Sequence, residues 1–566
     1  MDPAADINPA PISWRAPLLL AALLATIAIL PLILLGNPSG HDLEFHLPNW
    51  IDVARHWHEG VLYPHWSGGG HFGFGDPRFI VYPPLSWLIG GVLALVLPGA
   101  MLQGAYTWLC VAAASLAAFR LAREWLSQRA SLWAAAFYAT NPYMVLVYTH
   151  RSAYSELLAS AVFPVALLLA LRVELPGPAG MRAALQFAFA FGCLWISNVP
   201  AAVLGSYGLA LALVWMSVRS RSLRPLVRGG IGMALGLGLA SFYILPIAIE
   251  MPWTQGSDAF AGSLSLWNNF LFHRSDDEDH TRFNLLVSAL ACAEMVVAAA
   301  AFATSLRKPR ALDDQGELPG ARGRALPDGL PILCAIGGAY AVMLFPWSAP
   351  VWRILPRIWM AEFPWRSLYL LNLALALALV ASLRTARARL AWSALAGIVW
   401  LGLGAAVLQS APWNPDEVHD LVAAAHSDEG YVGVVDEFLP AGIDPDNLVT
   451  AAPRLVALDP DGEEDASVKT SVELWNTEEK RFTADALAST RIRLHLVNYR
   501  PWRASVNGAI ITPQTDPETG QMLIPVPRGH SEVRVWFGHT PDRTLGPTVS
   551  LASLFVLLLL LRRVPL

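Results

Sequence analysis

Twelve stretches of this chain are apolar over roughly the length that a helix needs to cross a bilayer, and this repetition constrains the fold more than any other feature. A spanning helix takes about 20 mostly apolar residues. Of the 566 residues, 55% are apolar and only 15% are charged, whereas soluble domains carry about 25% charged residues. The sequence therefore excludes a soluble enzyme and predicts a polytopic α-helical membrane protein. The predicted spans are 16–35, 102–119, 131–149, 157–173, 183–198, 200–218, 229–249, 283–305, 329–346, 367–383, 390–409 and 546–561.

Basic residues between the spans predict the orientation, because cytoplasmic loops collect Lys and Arg. With both termini inside, 20 of the 39 basic residues fall in inner segments. The run Tyr82–Pro98 is apolar enough to be a thirteenth span, but that count would move the Arg120–Arg129 cluster outside. We therefore predict that this run is an interfacial helix on the outer face.

A segment of different composition precedes the last span. From Pro412 to Arg543 it has 22 acidic and 11 basic residues, a net charge of −11. Its second half alternates apolar and polar residues around an Asn-Gly pair, which predicts antiparallel strands and a hairpin. The predicted parts are a transmembrane domain at 1–409 with a first outer loop at 36–101, an outer domain at 410–545 ending in a small β-sandwich, and a last span with its tail at 546–566.

The first outer loop is rich in groups that can perform chemistry. Directly after the first span come His41, Asp42, Glu44 and His46. Two interpretations of Asp42 stay open, a general base and the N-cap of a helix beginning at Leu43, and Glu44 could share either task. The six histidines of the loop match no strong zinc spacing, so a structural metal is an alternative to solvated histidines. Apolar residues at helical spacing over 45–60 predict an amphipathic helix on the bilayer surface.

Charged and aromatic residues recur at the outer ends of later spans. Glu156, near Arg151 and Tyr154, is either a second active-site carboxylate or an anion stabilised by a helix N-terminus. Arg366 enters the tenth span, where an arginine is costly. It is a candidate phosphate clamp, with snorkelling to lipid headgroups as the alternative. Arg353 is a weaker candidate of the same kind.

Further features narrow the class. The acidic run 275–280 could bind a divalent cation, or it could be a solvated loop. The formal charge of −5 argues against nucleic acid as a partner. The sequence has no P-loop, no GxSxG and no HExxH. Ionisable residues within the spans are sparse, which argues against a proton-coupled transporter.

A series of short motifs runs through the whole chain. In order they are HDLEFH, G-x-L-Y-P-x-W, FGFGDP, YPPL, RSAYSE and EFPWRS, followed by NYRPW, VNG and VPRGH. This order resembles bacterial membrane proteins called 6-pyruvoyl-tetrahydropterin-synthase-related and their YfhO-like relatives. More distantly, it is similar to the GT-C glycosyltransferases. The resemblance implies a GT-C-like fold in a bacterial inner membrane, with cytoplasmic termini and a periplasmic domain before the last span.

The resemblance also implies a reaction. A sugar would pass, with inversion, from a polyprenyl-phosphate donor to an envelope glycan, lipid or protein acceptor. Asp42 would be the general base, and Glu156 stands where related aminoarabinose transferases commonly have Asp. Such families include metal-dependent and metal-independent members, so a divalent metal stays open and none is required. The candidate catalytic residues are Asp42, Glu156 and Glu44. The candidate substrate- and phosphate-binding residues are Arg366, Arg151, His41, His46, Tyr82, Tyr154 and Arg353.

Two functions of other classes remain as alternatives. The protein could be a carrier or flippase for a lipid-linked glycan, or a non-catalytic assembly protein whose outer domain recruits envelope partners. A transferase would release free polyprenyl phosphate from its donor, whereas a carrier would move the donor unchanged.

Overall fold

A computed structural model describes residues 13–256, 260, 262–306, 329–383, 386–427, 429–431, 436–448 and 452–564. The stretch 307–331, which its Arg, Pro and Gly content predicts to be a linker, lies almost wholly outside the described residues. The first ten helices are α1 (Arg15–Leu35), α2 (Leu43–His58), α3 (Arg78–Val81), α4 (Pro84–Ala94), α5 (Gly99–Ala122), α6 (Gln128–Ala139), α7 (Pro142–Thr149), α8 (Tyr154–Arg172), α9 (Gly177–Ser197) and α10 (Val199–Ser220). The others are α11 (Arg224–Leu239), α12 (Ser241–Glu250), α13 (Glu278–Leu306), α14 (Leu330–Met343), α15 (Ala349–Ile354), α16 (Leu368–Ser382), α17 (Ala386–Ser410), α18 (Pro415–His426) and α19 (Pro541–Arg563).

Within these described ranges, nine helices are long and apolar enough to cross a membrane. Two further pairs are bent, by 68° where α11 meets α12 and by 100° where α14 meets α15, and the count is eleven if each pair is one span. A sheet domain lies between the span α17 and the last span α19. The predicted fold class, a polytopic helical membrane protein with a C-terminal sheet domain before its last helix, is confirmed.

The predicted third span, 131–149, is wrong as a single helix. The chain breaks between α6 and α7, because Asn141 adopts an extended backbone and its side chain accepts a hydrogen bond of 2.9 Å from the backbone N–H of Met144. Pro142 then occupies the first position of α7, where its missing N–H costs nothing. The break brings Tyr143 to the start of a new helix.

The two helices predicted to lie at the membrane interface have different surroundings. α4 is a short apolar helix of 11 residues, too short to span, as predicted. α2 is not a surface helix, since 12 of its 16 side chains are buried. Gly90 and Gly91 of α4 allow this packing, because a Cβ at Gly90 would lie 2.0 Å from the Trp50 ring and one at Gly91 would lie 2.6 Å from Val53. Periodicity alone could not distinguish a lipid face from a protein face.

In the described residues after α18, nine strands form two antiparallel sheets. They are β1 (Leu455–Leu458), β2 (Lys469–Trp475), β3 (Glu479–Ala486), β4 (Thr490–Val497), β5 (Trp502–Val506), β6 (Ala509–Ile511), β7 (Gln514–Thr515), β8 (Gln521–Val526) and β9 (Gly529–Phe537). The strand orders are β1-β4-β8-β7 and β2-β3-β9-β5-β6. The predicted hairpin turn joins β5 to β6, with φ of 51° at Asn507 and 79° at Gly508. These positive values are what a two-residue hairpin turn requires.

The first outer loop packs into the sheet domain. Trp66, Phe74 and Ile80 belong to the same buried apolar cluster as the inner side chains of both sheets. The backbone N–H of Val497 donates to the Phe74 carbonyl at 3.1 Å, and the His495 ring nitrogen Nε2 lies 2.8 Å from the Phe72 carbonyl. The loop therefore holds the sheets against the membrane helices, and sequence reasoning gave no sign of this shared core.

Candidate active site

Several helix ends and the turns between them enclose a cavity of about 350 Å³. We call it the acid–arginine cavity and define it by five of its lining residues, which include candidates from three distant parts of the sequence. These five residues are His41, Asp42, Tyr82, Arg151 and Arg366. The first loop, the approach to α8 and the turn before α16 thus supply one common space.

Five charged side chains alternate in sign beside this cavity. Arg151 Nη2 lies 3.7 Å from Asp42 Oδ2, and Arg151 Nη1 donates to Glu156 Oε2. Arg366 Nε lies 3.4 Å from the same Glu156 oxygen. Arg366 Nη1 donates to Glu362 Oε2 at 2.6 Å. The two guanidinium groups are therefore fixed by one shared carboxylate between them.

Burial separates the roles of the two candidate carboxylates. The Glu156 side chain is 1% exposed and that of Arg151 is 3% exposed, whereas the Asp42 side chain is 36% exposed. Glu156 also accepts a hydrogen bond from the Tyr143 hydroxyl on Oε1. Buried charges persist when they are paired and hydrogen-bonded, so this geometry suits Glu156 to holding the arginines. Asp42 is the carboxylate that a ligand can reach.

The structural alternative for Asp42 does not match the geometry, whereas Glu156 does lie where a helix N-terminus favours an anion. Asp42 occupies the N-cap position of α2, but its side chain makes no capping hydrogen bond. Glu156 lies in the first turn of α8, where its oxygens bind side chains of Arg151 and Tyr143. Of the two carboxylates, Asp42 is not needed to satisfy a helix terminus.

Aromatic rings cover both guanidinium groups. Arg151 lies 4.7 Å from the centroid of the Trp365 ring, and Arg366 lies 4.7 Å from that of Phe363. The two rings stack on each other at 4.7 Å. Such cation–π contacts favour a fixed guanidinium plane. Arg366 is therefore enclosed by protein, which contradicts snorkelling to headgroups.

The backbone places two of these groups through uncommon conformations. Ser152, directly after Arg151, has a φ of 48°, and Glu362 has a φ of 60°. Positive φ in residues other than glycine costs free energy and persists where the surroundings enforce it. These turns aim Arg151 and Glu362 towards the cavity. They could not be read from the residue types.

A second hydrogen-bonded group lies at the cavity wall. The Tyr82 hydroxyl is 2.7 Å from Ser155 Oγ and 3.3 Å from His46 Nε2. Burial lowers the pKa of His46 to about 4, so its ring is neutral at physiological pH. Asn198 donates to the same Ser155 oxygen at 2.9 Å. Sequence reasoning did not single out Ser155, Asn198 or Tyr143, because ordinary polar residues at helix starts carry no distinguishing pattern.

Five predicted site residues do not line the cavity. Two of them, Glu156 and His46, contact the lining residues Arg151 and Tyr82, and the other three lie elsewhere. Glu44 faces the neighbouring carboxylate Glu417, and partial burial and that neighbour raise the Glu44 pKa. Arg353 lies 5.0 Å from the centroid of the Trp267 ring. Tyr154 is buried among the rings around α2 and α5. The structure gives none of the three a direct path to a ligand in the acid–arginine cavity.

The residues do not fit a metal centre. No group of three His, Cys, Asp or Glu side chains in the described part of the chain could hold a metal ion. In the acidic run 275–280, Asp277 Oδ1 accepts hydrogen bonds from the backbone N–H groups of Asp279, at 2.9 Å, and His280, at 3.2 Å. This carboxylate therefore caps the start of α13. The acidity of the run has a structural reason.

The chain matches no protein-family model and no curated protein. It is similar to solved structures of low identity. An arabinofuranosyltransferase, AftD, from Mycobacteria is similar over 72% of this chain and 27% of its own, at 18% identity and a TM-score of 0.46. ArnT from Cupriavidus metallidurans, bound to undecaprenyl phosphate, is similar over 66% of this chain and 60% of its own, at 14% identity and a TM-score of 0.40.

An oligosaccharyltransferase from Archaeoglobus fulgidus is similar over 74% of this chain and 56% of its own, at 13% identity and a TM-score of 0.37. The chain thus spans between 27% and 60% of the length of these three proteins. At such identities and TM-scores the likeness assigns neither a family nor an activity. The predicted YfhO-like relationship stays a prediction, and the chemistry has to come from the side chains of the cavity.

Proposed function

We propose that the protein is a membrane glycosyltransferase that moves a sugar from a polyprenyl-phosphate donor to a hydroxyl acceptor in the acid–arginine cavity. One observation carries the proposal. Asp42, a partly exposed carboxylate, opens on the same cavity as the buried guanidinium groups of Arg151 and Arg366. A base and a phosphate-binding cation are the two groups that such a transfer needs.

Asp42 acts as the general base in this proposal. It accepts the proton of the acceptor hydroxyl while that oxygen attacks the anomeric carbon, and the bond from the anomeric carbon to the donor phosphate breaks. Attack from the side opposite to the phosphate inverts the configuration. A positioned base contributes about 10²–10⁴-fold to the rate.

Arg366 stabilises the negative charge that develops on the departing phosphate. A guanidinium in a water-poor cavity stabilises such charge without reorganising. In the structure its Nη1 is bonded to Glu362 at 2.6 Å, so phosphate competes with that carboxylate. Burial raises the pKa of Glu362, although Arg366 opposes the shift. Protonation or rotation of Glu362 therefore frees the cation for the leaving group.

The donor class and the side of the membrane come from the sequence. The motif resemblance supports polyprenyl phosphate as the donor, and the distribution of basic residues supports an outer location of the cavity and the sheet domain, with cytoplasmic termini. In a bacterium with two membranes this is the periplasmic face of the inner membrane. The acceptor is an envelope glycan, lipid or protein.

The test is the Asp42→Asn variant of the full chain in nanodiscs, supplied with a labelled polyprenyl-phosphate sugar donor and envelope extract. Release of free polyprenyl phosphate should fall at least about 100-fold, because the amide cannot accept the proton. Glu44→Gln is the matched control, since it removes a carboxylate two residues away that does not line the cavity. It should retain activity within about twofold.

Two outcomes contradict the proposal. If the Asp42→Asn variant is as active as the wild type at equal protein levels, Asp42 is not the general base. Movement of intact donor across the bilayer, without release of polyprenyl phosphate by the wild type, supports a carrier instead.

A further inference from the structure

A second cavity, of about 760 Å³, lies between the first outer loop and the sheet domain. It shares no lining residue with the acid–arginine cavity. The end of α2 and the glycine-rich turn form one wall, and strands β2, β3 and β4 form the other. We call it the loop–sheet cavity and define it by the lining residues Arg55, Glu59, Arg454, Trp475, Lys480 and His495.

Two cations of this cavity are held by neutral groups. Lys480 Nζ donates to the carbonyl oxygens of Asn476 and Thr477, each at 2.7 Å. Arg55 Nη2 donates to the carbonyl oxygens of Ala425, at 2.8 Å, and Ser427, at 3.3 Å. Carbonyl dipoles orient a cation without cancelling its charge. The Arg55 guanidinium therefore keeps its positive charge at this wall. Burial lowers the pKa of Lys480 to about 7, so its ammonium adds only part of a charge near neutral pH.

Two acidic residues, Glu59 and Glu429, line the same cavity, and Glu59 is already hydrogen-bonded. Glu59 Oε2 accepts from the backbone N–H of Thr477 at 2.8 Å and from its hydroxyl at 2.5 Å. These bonds tie the end of α2 to the turn between β2 and β3. The Lys480 side chain is buried at that turn. The packing of the first outer loop against the sheets therefore fixes the position of the Lys480 side chain.

A half-buried indole lies among the cations. The guanidinium of Arg454 and the ammonium of Lys480 each lie 5.8 Å from the centroid of the Trp475 ring. The face of an aromatic ring carries negative potential, so it attracts the C–H bonds of a sugar ring as well as cations. An aromatic plane beside positive charge fits a sugar that carries a carboxylate or a phosphate.

The overall charge of the domain limits the ligand further. From Pro412 to Arg543 the net charge is −11, which repels a densely charged polymer such as a nucleic acid. A glycan with about one anionic group per sugar or fewer is repelled less strongly, and its anionic groups can pair with the cationic side chains of the cavity. A cavity of 760 Å³ can hold several sugar rings.

We propose that the loop–sheet cavity binds an acidic oligosaccharide. That this glycan is the acceptor, or the growing product, of the transfer rests on the proposed function. The binding itself does not, since it depends on a separate set of residues.

The test measures binding by calorimetry with the full chain in nanodiscs. The probes are tetragalacturonate, which is acidic, and maltotetraose, which is neutral and of the same length. The wild type should bind the acidic probe about tenfold more tightly than the neutral one. Trp475→Ala should weaken both by roughly tenfold, about the worth of one aromatic contact. Arg454→Gln should reduce the preference for the acidic probe while weakening the neutral probe little.

Trp536→Ala is the matched control, because Trp536 lies on β9 of the same sheet but does not line the cavity. Equal losses in the Trp475 and Trp536 variants overturn the proposal, as does a folded wild type that binds neither probe. Tetra-aspartate bound as tightly as tetragalacturonate, with the same dependence on Trp475, overturns it in favour of an acidic peptide. Release of polyprenyl phosphate from labelled donor in the presence of envelope extract is followed in parallel. If it is absent while glycan binding persists, the proposed reaction fails and the binding site stands.

Discussion

The two cavities differ in the groups that bind their cationic side chains. In the acid–arginine cavity, Arg151 and Arg366 are bonded to carboxylates, and Glu156 serves both. In the loop–sheet cavity, Arg55 and Lys480 are bonded to backbone carbonyls. Paired charges are rigid and tolerate burial, which suits groups that must be placed for chemistry. A guanidinium held by carbonyl dipoles, as Arg55 is, keeps its charge without a bonded carboxylate, which suits recognition of an anion.

The largest expected contrast concerns stability. Glu156→Gln leaves two buried guanidinium groups without their shared anion, and breaking such a buried pair costs about 3–5 kcal/mol. Lys480→Met removes a cation that pairs with carbonyls and should destabilise the protein much less. Thermal unfolding in detergent compares the two variants. A similar loss in both would show that the two cavities do not differ in this way.

The next contrast concerns the shape of the cation. Arg366→Lys keeps the charge but loses the planar fork that Glu156, Glu362 and phosphate can share. We expect transfer to slow by about 10–100-fold, as for the loss of one preorganised electrostatic contact. Arg55→Lys should leave the rate within about threefold, because an ammonium can also donate to carbonyls. Steady-state rates under saturating donor measure both, and equal rates in the two variants would contradict the assignment of Arg366.

The smallest expected effect is a pH dependence at Lys480. Burial lowers its pKa from 10.5 to about 7, so the folded protein holds fewer protons than the unfolded chain between these values. Stability then rises with pH from about 7 upwards, while below pH 7 the folded state bears the cost of a buried ammonium. Relative to Lys480→Met, the wild type should gain about 1 kcal/mol between pH 6.5 and 8. A constant difference in unfolding free energy over this range would contradict the shift.

Some of the site followed from the sequence because of where charges stand relative to the spans. Asp42 and Arg366 each lie at an outer end of a predicted span, and such ends meet in one plane at the membrane surface. Their presence in one cavity is therefore what the topology predicts. The same reasoning predicted that the run Tyr82–Pro98 is not a span, and its helix α4 has only 11 residues. Their catalytic roles stay predictions until the variants are measured.

Other outcomes depended on the direction of a side chain, which topology does not set. Asp42 and Glu44 are two residues apart, yet the rotation of α2 against its neighbours turns one to the cavity and the other to Glu417. Tyr154 and Glu156 also point in different directions at the start of α8, since Tyr154 packs against Trp50 and Glu156 binds Arg151. The break at Asn141 was also missed, since apolar content outweighed the capping signal.

The sequence by itself determined that this chain crosses a membrane many times and carries an acidic sheet domain before its last helix, because apolar length and alternation are local properties that solvent or lipid enforces directly. Tertiary structure alone decided that the glycine-rich loop enters the sheet core, that Glu156 joins two arginines, and that Lys480 lies beside Trp475. These contacts join residues far apart in the chain. They form only when packing and burial fix the rotation of each helix and strand, a choice that no local pattern encodes.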